Sequence, residues 1–231
     1  MQTTQEYLNQ YYLKHADFAA LCEVTPAMLS QLIESGLVAN PSYVVKDNSS
    51  IHTVVFGEIA CADVVTGEYF HPAHSAWVRG AARLLESLGA TRAQAQLKQQ
   101  FCDEFGAALG ELNASTFALA DCFDESGGVI VAGIMKRCET AWMYFLNGTF
   151  GLCVADPSTI ANIARKEILQ EKLTVLSQNG QISDFSQEEA QALLRLIDDY
   201  AASSMPFSPA EYARSSRKRL VNDLRLRLIN P

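Results

Sequence analysis

The sequence predicts a mainly α-helical protein that carries one small β-hairpin near its front. Three observations lead to this fold class. Helix-starting residues recur along the chain, the apolar residues between them follow helical spacing, and only two neighbouring runs are rich in β-branched residues. Each helix start combines a capping side chain with a proline directly after it, or with Glu or Gln three positions later. These starts are expected at Thr25, Thr91, Asp156, Ser186 and Ser208.

The most apolar helix is expected over residues 130–145. Its stripe at helical spacing includes Ile134, Cys138 and Trp142. Because the segment is apolar on nearly every side, we expect a central buried helix, although GVIVAGI by itself is also compatible with a strand. The run that follows, TFGLCV (149–154), favours a short strand.

The front of the chain divides into a helical pair and a hairpin. The stretch DFAALCEVTPAMLSQLIESGLV predicts two short helices, over 18–21 and 26–35, joined by a tight turn. The runs SYVVK and IHTVVF, separated by DNSS, predict the hairpin. This outline resembles the helix-turn-helix unit of regulators of the mercury-resistance type. We therefore expect a helix-turn-helix or winged-helix-like unit over residues 1–70 and a helical bundle over residues 71–231.

The charge of the chain argues against nucleic acid as a partner. The formal net charge is −8, and residues 1–78 hold two lysines against eight acidic residues. The expected recognition helix, PAMLSQLIES, has no basic residue, although DNA affinity comes mostly from Lys and Arg that neutralise phosphates. No apolar run approaches the ~20 residues of a membrane helix, and the polar start lacks the apolar stretch of a signal peptide. We expect a cytoplasmic protein with no membrane partner.

Basic residues collect at the other end of the chain, in ARSSRKRLVNDLRLRL (213–228). The pattern predicts an amphipathic helix whose charges face solvent. The alternatives are a contact with an anionic ligand, with an acidic partner, or with the acidic front half of the same protein.

The six cysteines are expected to be buried, reduced thiols. They stand at positions 22, 61, 102, 122, 138 and 153, form no C-x-x-C pair and lie mostly in apolar segments. A metal cluster or a disulfide framework is the alternative interpretation.

The densest polar and aromatic cluster is GEYFHPAHSAW, residues 67–77. Glu68, His71 and His74 are residue types that bind zinc or iron, and they form the candidate metal site. Pro72 separates the two histidines, however, so they are not expected on one helical face. The alternative is a turn that begins a helix and leaves both histidines partly exposed.

A second cluster, KRCETAWMYFLNGTFGLC, places three charges in a strongly apolar helix. Because a charge that enters a core must find a partner or line a pocket, two interpretations follow for Arg137 and Glu139. They lie on an exposed stripe or in a structural ion pair, or one of them faces a ligand cavity beside Trp142. In the third cluster, DPSTIANIARKEILQEKL, we expect Lys166 and Glu167 on the surface.

Several enzyme classes leave no motif in the sequence. It contains no phosphate-binding loop, no dinucleotide-binding G-x-G-x-x-G, no G-x-S-x-G nucleophile elbow and no H-E-x-x-H. Nothing in it identifies a cofactor, and whether the protein is an enzyme stays open.

Five stretches together resemble an uncharacterised bacterial family loosely labelled natural product biosynthesis proteins. They are LIESGLVANPSYVV, GEYFHP with the Trp that follows, RCETAWMYFLNGTFGLCV, the KE pair at 166–167, and SSRKRLVNDLR. The resemblance spans most of the chain and implies proximity to biosynthetic pathways. It carries over no catalytic residue, because the motifs are not specific for a reaction.

Three functional hypotheses follow. The first is a non-catalytic accessory protein that binds a small molecule or a protein, and self-association of the chain also stays open. Its ligand pocket would be lined by Tyr69, His71, Trp77, Arg137, Glu139 and Trp142. The second is a metal-assisted enzyme that uses His71 and His74. The third is a DNA-binding regulator whose basic C-terminal segment supplies the phosphate contacts.

Overall fold

The protein, described here by a computed structural model over residues 2–62 and 64–230, is mainly α-helical with a small antiparallel sheet. The fold class expected from the sequence is therefore confirmed. The described helices are α1 (Thr4–Tyr11), α2 (His15–Leu21), α3 (Pro26–Glu34), α4 (Ser75–Leu88), α5 (Ala90–Ser115), α6 (Val131–Leu146), α7 (Thr149–Cys153), α8 (Ile160–Leu176), α9 (Gln187–Ser203) and α10 (Leu224–Ile229). A π-helical turn, Lys218–Asp223, leads directly into α10.

The predicted hairpin is confirmed and forms part of a larger sheet. The strands are β1 (Leu13–Lys14), β2 (Tyr43–Val45), β3 (Ser50–Thr53), β4 (Gly57–Ala60) and β5 (Gly67–Phe70). Their spatial order is β1-β5-β2-β3-β4, and each neighbouring pair is antiparallel. The hairpin is β2–β3, whereas residues 54–56, which the β-branched run placed in a strand, form the turn between β3 and β4.

Local capping chemistry explains where several helices begin. Thr25 caps α3 directly before Pro26, and Ser186 and Glu189 form the expected capping box of α9. The start expected at Asp156 is wrong by three residues. Asp156 accepts a hydrogen bond from the backbone N–H of Ser158 instead, and Thr159 caps α8.

Two elements differ from the expectation. The segment TFGLCV is not a strand but contains α7, because Asn147 Oδ1 accepts from the N–H and the hydroxyl of Thr149 and starts a helical turn after Gly148. α6 is helical as expected, but it is not buried all round, since Val131 and Met135 are exposed on its outer face.

The hydrophobic core is continuous across residue 70. Its main cluster joins Tyr43 and Ile51 of the sheet to Phe101, Phe145 and other residues of the helices. A second cluster packs α2 and α3 on α4, and a third packs α8 and α9 on the C-terminal helices. The division into units 1–70 and 71–231 stays a prediction.

The expectation of six reduced thiols is wrong for one pair. Cys102 of α5 and Cys138 of α6 form a disulfide bridge, because these helices pack side by side and bring the two Cα atoms to 5.4 Å. Cys22, Cys122 and Cys153 are buried free thiols.

In the described part of the chain, residues 2–62 and 64–230, no helix combines the length and the apolar character needed to cross a membrane.

Candidate functional site

A cavity of about 470 Å³, which we call the cleft, opens between α7, α8, the turn after β3 and the chain that follows α9. Its polar lining includes Cys153, Lys166, Glu167, Gln170, Arg214 and Arg219. Its apolar lining includes Val54, Val55, Phe56, Leu152 and Phe207. The cleft therefore combines residues that stand far apart in the sequence.

Lys166 lies in the wall of the cleft, and the surface position expected for it is wrong. The residue is only 3 % exposed, because α8 is covered by α5 on one side and by α9 on the other. Its Nζ donates to Glu167 Oε1 and to Gln170 Oε1, both at 2.8 Å. Glu167 keeps part of its expected exposure, since 34 % of its side chain is accessible.

Lys166 is charged at neutral pH although it is buried. Burial by itself lowers the pKa of an ammonium group, but the thiolate that Cys153 forms at high pH and the Glu167 carboxylate outweigh it and raise the pKa of Lys166 above its usual value. Burial also raises the pKa of the Cys153 thiol, whose Sγ lies 3.5 Å from Lys166 Nζ, so this thiol stays protonated. Glu167 is thus the partner that carries the compensating negative charge.

Two arginines of the basic C-terminal segment complete the cleft. The guanidinium of Arg214 lies 5.3 Å from the centroid of the Phe56 ring. Nε of Arg219 is buried, with no hydrogen-bond partner in the part of the chain that the structure describes. Among the residues that the structure describes, neither arginine forms an ion pair with a carboxylate. With Lys166, three cations line the cleft beside one carboxylate, Glu167, in a chain whose net charge is −8.

A second cavity, which we call the side cavity, adjoins the cleft along α8. Its volume is about 380 Å³. Tyr144, Glu167 and Gln170 line both cavities and form the wall between them.

Arg137 lines the side cavity and forms the structural ion pair that one of its two sequence-based interpretations expected. The other interpretation placed it at a ligand cavity beside Trp142, and Trp142 does not line the side cavity. Its Nε lies 2.7 Å from Asp121 Oδ2, and its Nη1 lies 2.6 Å from Glu171 Oε2. The guanidinium is bidentate toward both carboxylates. Arg137 therefore belongs to a structural ion pair, and Asp121 and Glu171 neutralise its charge although it faces a cavity.

Trp77 and Trp142 meet at a third, smaller cavity of about 170 Å³. The ring of Phe145 lies between them, with centroids 5.2 Å from Trp77 and 5.5 Å from Trp142. Trp77 Nε1 donates to the carbonyl of Pro157 at 2.9 Å. Arg137 does not line this cavity, so the expected pocket does not form as one unit.

The remaining residues of the expected pocket lie elsewhere. Tyr69 is buried in β5, where its hydroxyl donates to the carbonyl of Val65 at 2.7 Å. Glu139 is exposed on α6 and pairs with Lys98 at 2.7 Å. His71 is buried in contact with Tyr12.

The expected metal site is not assembled. Glu68 is exposed on β5, whereas His71 and His74 turn inward around the helical turn Pro72–His74 and are buried. Their ring centroids are 6.1 Å apart. Within residues 2–62 and 64–230, no three His, Cys, Asp or Glu side chains are grouped so that they could hold a metal ion.

Both histidines belong instead to a buried polar row, which we call the seam: His74, His71, Tyr12, Tyr43 and Glu211. His71 Nδ1 accepts from the backbone N–H of residue 73 at 3.2 Å, while neither nitrogen of His74 has a hydrogen-bond partner among the described residues. Burial lowers the pKa of His71 to about 4 and that of His74 to about 3. Both rings are neutral at pH 7.

Glu211 ties the chain after α9 to the sheet. The residue is fully buried, and its Oε1 accepts from the hydroxyl of Tyr43 and, at 3.2 Å, from the backbone N–H of Ser208. Burial raises the pKa of Glu211 to about 7. The capping contact expected between Ser208 and Glu211 is present in part, but it starts a turn and a short 3-10 helix, Tyr212–Arg214, and not an α-helix.

Sequence reasoning missed Cys153 and the bond between Tyr43 and Glu211. Two signals for the cleft were available. One is the pair at 166–167, where a lysine interrupts an apolar helical stripe, and the other is the basic C-terminal segment, which supplies Arg214 and Arg219. The structure brings the Lys166 and Arg137 clusters to adjoining cavities, whereas His71 lies in the seam.

Comparison with known proteins places these residues in a family. The family of unknown function DUF6058 matches residues 97–229, which include all the polar cleft residues named above and the whole lining of the side cavity. No curated protein and no solved structure matches the chain. The match covers more than half of the sequence, and the protein belongs to the DUF6058 family of proteins of unknown function.

Proposed function

We propose that this protein is a non-catalytic binding protein that holds an anionic small molecule in the cleft. The observation that carries the proposal is the charged, 3 % exposed Lys166 in the wall of a cavity of about 470 Å³. A cavity of this size lies within the range of small-molecule sites, about 300–1,000 Å³.

The electrostatics of the cleft favour an anion. Arg214 and Arg219 add two positive charges that form no ion pair with a carboxylate within the described residues, although the charge of Arg214 also acts on the buried Glu211, and Glu167 already pairs with Lys166. A buried donor without a partner is costly, and Nε of Arg219 is such a donor. An anionic oxygen would supply its acceptor through a charge-assisted hydrogen bond.

The chemistry of the cleft favours binding over catalysis. A cysteine acts as a nucleophile in its thiolate form, and the raised pKa of Cys153 keeps its thiol protonated. His71 and His74 do not line the cleft, so neither is placed to act as a base for this thiol. The metal-assisted enzyme considered from the sequence lacks an assembled ligand set.

The regulator hypothesis is weakened by the contacts of the basic segment. Arg217 donates to the carbonyls of Ala201 and Ser204, both at 2.8 Å, and Arg225 pairs with Asp198. These cations are engaged within the protein, and α3 contributes no basic residue for base or phosphate contacts. A link to natural product biosynthesis comes from the motif resemblance alone, and the binding proposal does not depend on it.

The test is a thermal-shift and calorimetric titration with inorganic phosphate, acetate and citrate. An anion that binds the native state should stabilise it, by about 2.7 kcal/mol at a hundredfold excess over its Kd. Lys166→Met should weaken binding of every such anion at least tenfold. Lys98→Met is the matched control, because Lys98 pairs with Glu139 outside the cleft.

Two results would reject the proposal: no stabilisation by any of these anions, or an equal loss of binding in both lysine variants. Native mass spectrometry of gently purified protein adds an independent readout. An organic anion retained by the wild type and absent from Lys166→Met would identify the ligand class directly.

A further inference from the structure

We propose that the ligand is an amphipathic anion, with its charged head in the cleft and an apolar body in the side cavity. This inference rests on the proposed function and extends it to the chemical class of the ligand. Its basis is the contrast between two cavities that share a wall.

The shared wall places the two cavities within reach of one molecule. Tyr144, Glu167 and Gln170 line both of them. Two of these residues, Glu167 and Gln170, are also the side chains that accept hydrogen bonds from Lys166 Nζ. An anionic head that binds Lys166 therefore lies directly beside the side cavity.

The side cavity offers no free positive charge in its interior for a second anionic group. Arg137 is held by Asp121 and Glu171 on both edges of its guanidinium, so its charge is used within the protein. Lys136 also lines the cavity, but as an exposed residue at its rim. A ligand with an anion at each end would place its second charge beside carboxylates.

The buried part of the side cavity is apolar. Phe105, Ala141, Phe150 and Ile168 contribute to its lining, and all four are buried core residues. Because Asp121 and Glu171 are bound to Arg137, they are not available to hold a cationic group either. This lining therefore favours an apolar ligand group in the side cavity.

The experiment measures the affinity of straight-chain carboxylates from acetate to decanoate by calorimetry. Each methylene that enters the side cavity should tighten binding by up to about fourfold, so affinity should rise along the series and then level off when the cavity is full. The aminated analogue 6-aminohexanoate should bind more weakly than hexanoate, because its ammonium end loses water without gaining a partner. Alkyl phosphates of the same lengths show whether the head is a carboxylate or a phosphate.

A variant that fills the side cavity tests whether the dependence of affinity on chain length arises there. Thr174 lines the side cavity and not the cleft, so Thr174→Trp should flatten the dependence on chain length and leave acetate binding unchanged. Thr91→Trp is the matched control, because Thr91 is an exposed helical threonine outside both cavities. Retained acetate binding also shows that each variant is folded.

The outcomes separate this inference from the proposed function. Equal binding of acetate and decanoate overturns the apolar subsite and leaves the anion site in the cleft standing. Tighter binding of 6-aminohexanoate than of hexanoate assigns the side cavity to a cation and overturns the inference. An unchanged series in Thr174→Trp also overturns it, and absence of any carboxylate or phosphate binding overturns both proposals together.

Discussion

The cleft and the seam both bury ionisable side chains, yet they do so in opposite ways. In the cleft, Lys166 keeps its charge because its Nζ lies 2.8 Å from Glu167 Oε1. Lys166 also borders a cavity of about 470 Å³. In the seam, His71 and His74 are neutral at pH 7, and none of the seam residues lines the cleft or the side cavity.

The difference shows which buried polar groups are suited to a ligand. A charged group that is buried but borders a cavity, as Lys166 does, can be contacted by an incoming molecule. Burial by close packing leaves neutral groups that hold distant parts of the chain together, as Tyr43 and Glu211 do across 168 positions. Four experiments, taken in order of decreasing effect on stability, test this contrast.

Acidification should produce the largest effect, and it should act through the seam. The pKa of His71 is about 4 and that of His74 about 3 in the folded protein, against 6.5 in the unfolded chain. The unfolded state therefore binds more protons below pH 6.5, and stability is lost as the pH falls, at about 1.4 kcal/mol per pH unit for each uncompensated proton. Urea denaturation between pH 3 and 8 should show a total loss of several kcal/mol.

Glu211 should act in the opposite direction in the same experiment. Its pKa is raised from 4.5 to about 7, so its contribution to stability is full below pH 4.5 and is lost as the pH rises toward 7. With the histidines, this places the seam's optimum near pH 6.5. Glu211→Gln should steepen the acid limb between pH 4.5 and 6.5 and remove the decline above it. Histidine ring signals that titrate near pH 6.5 would contradict the buried, neutral seam.

Gly151→Ala should give the second largest effect. A Cβ at this position in α7 would meet Ser42 Oγ and would lie 2.8 Å from His74 Cε1, so the seam has no room for it. We expect a loss of about 3 kcal/mol from overpacking, measured by urea denaturation. In Gly80→Ala, where a Cβ meets nothing within 4 Å, stability should stay equal or rise. Equal effects of the two substitutions would show that the seam is loosely packed.

Tyr43→Phe should cost about 1–2 kcal/mol, because it removes a hydrogen bond from the buried Glu211 carboxyl. In a chain that already carries Glu211→Gln, Tyr43→Phe should cost less free energy of unfolding than it does in the wild type, because the Tyr43 hydroxyl and the Glu211 carboxyl are coupled. Tyr11→Phe is the control, because Tyr11 is only half-buried and lies outside the seam. An additive double variant would mean that the bond between Tyr43 and Glu211 does not hold the C-terminal segment.

Lys166→Met should have the smallest effect on stability, below about 1 kcal/mol. Methionine retains most of the aliphatic packing, and Glu167, whose side chain is 34 % exposed, can be solvated after its partner is lost. The same variant should lose the anion-induced shift in melting temperature. A loss of stability comparable to that of Tyr43→Phe would place Lys166 among the structural groups and remove the contrast with the seam.

Several features of the fold could be predicted because their causes are local. The caps at Thr25 and Ser186 depend on residues within four positions, and the hairpin β2–β3 depends on two adjacent β-branched runs. α1 was missed, although its capping box, Thr3 with Glu6, follows the same local rule. Charge patterning also indicated, among several alternatives, an anion contact for the basic C-terminal segment.

The candidate site followed less well from the sequence, because a side chain's neighbours depend on packing. An apolar pattern suggested that α6 is a central buried helix, but exposure depends on which of its faces other helices cover. Lys166 was expected on the surface because lysine is charged, yet α5 and α9 cover its helix. The pairing of Cys102 with Cys138 likewise depends on the distance between two helices and not on cysteine spacing.

The sequence by itself determined the fold class, the hairpin, several helix starts and the acidic balance of the chain, since these depend on composition and on contacts within a few residues. Only the tertiary structure decided which ionisable groups are buried and which of them face a cavity. The physical reason is that desolvation and pairing are set by neighbours far away in the chain. Arg219 and Phe56 both line the cleft beside Lys166, and no local pattern of residues specifies that arrangement.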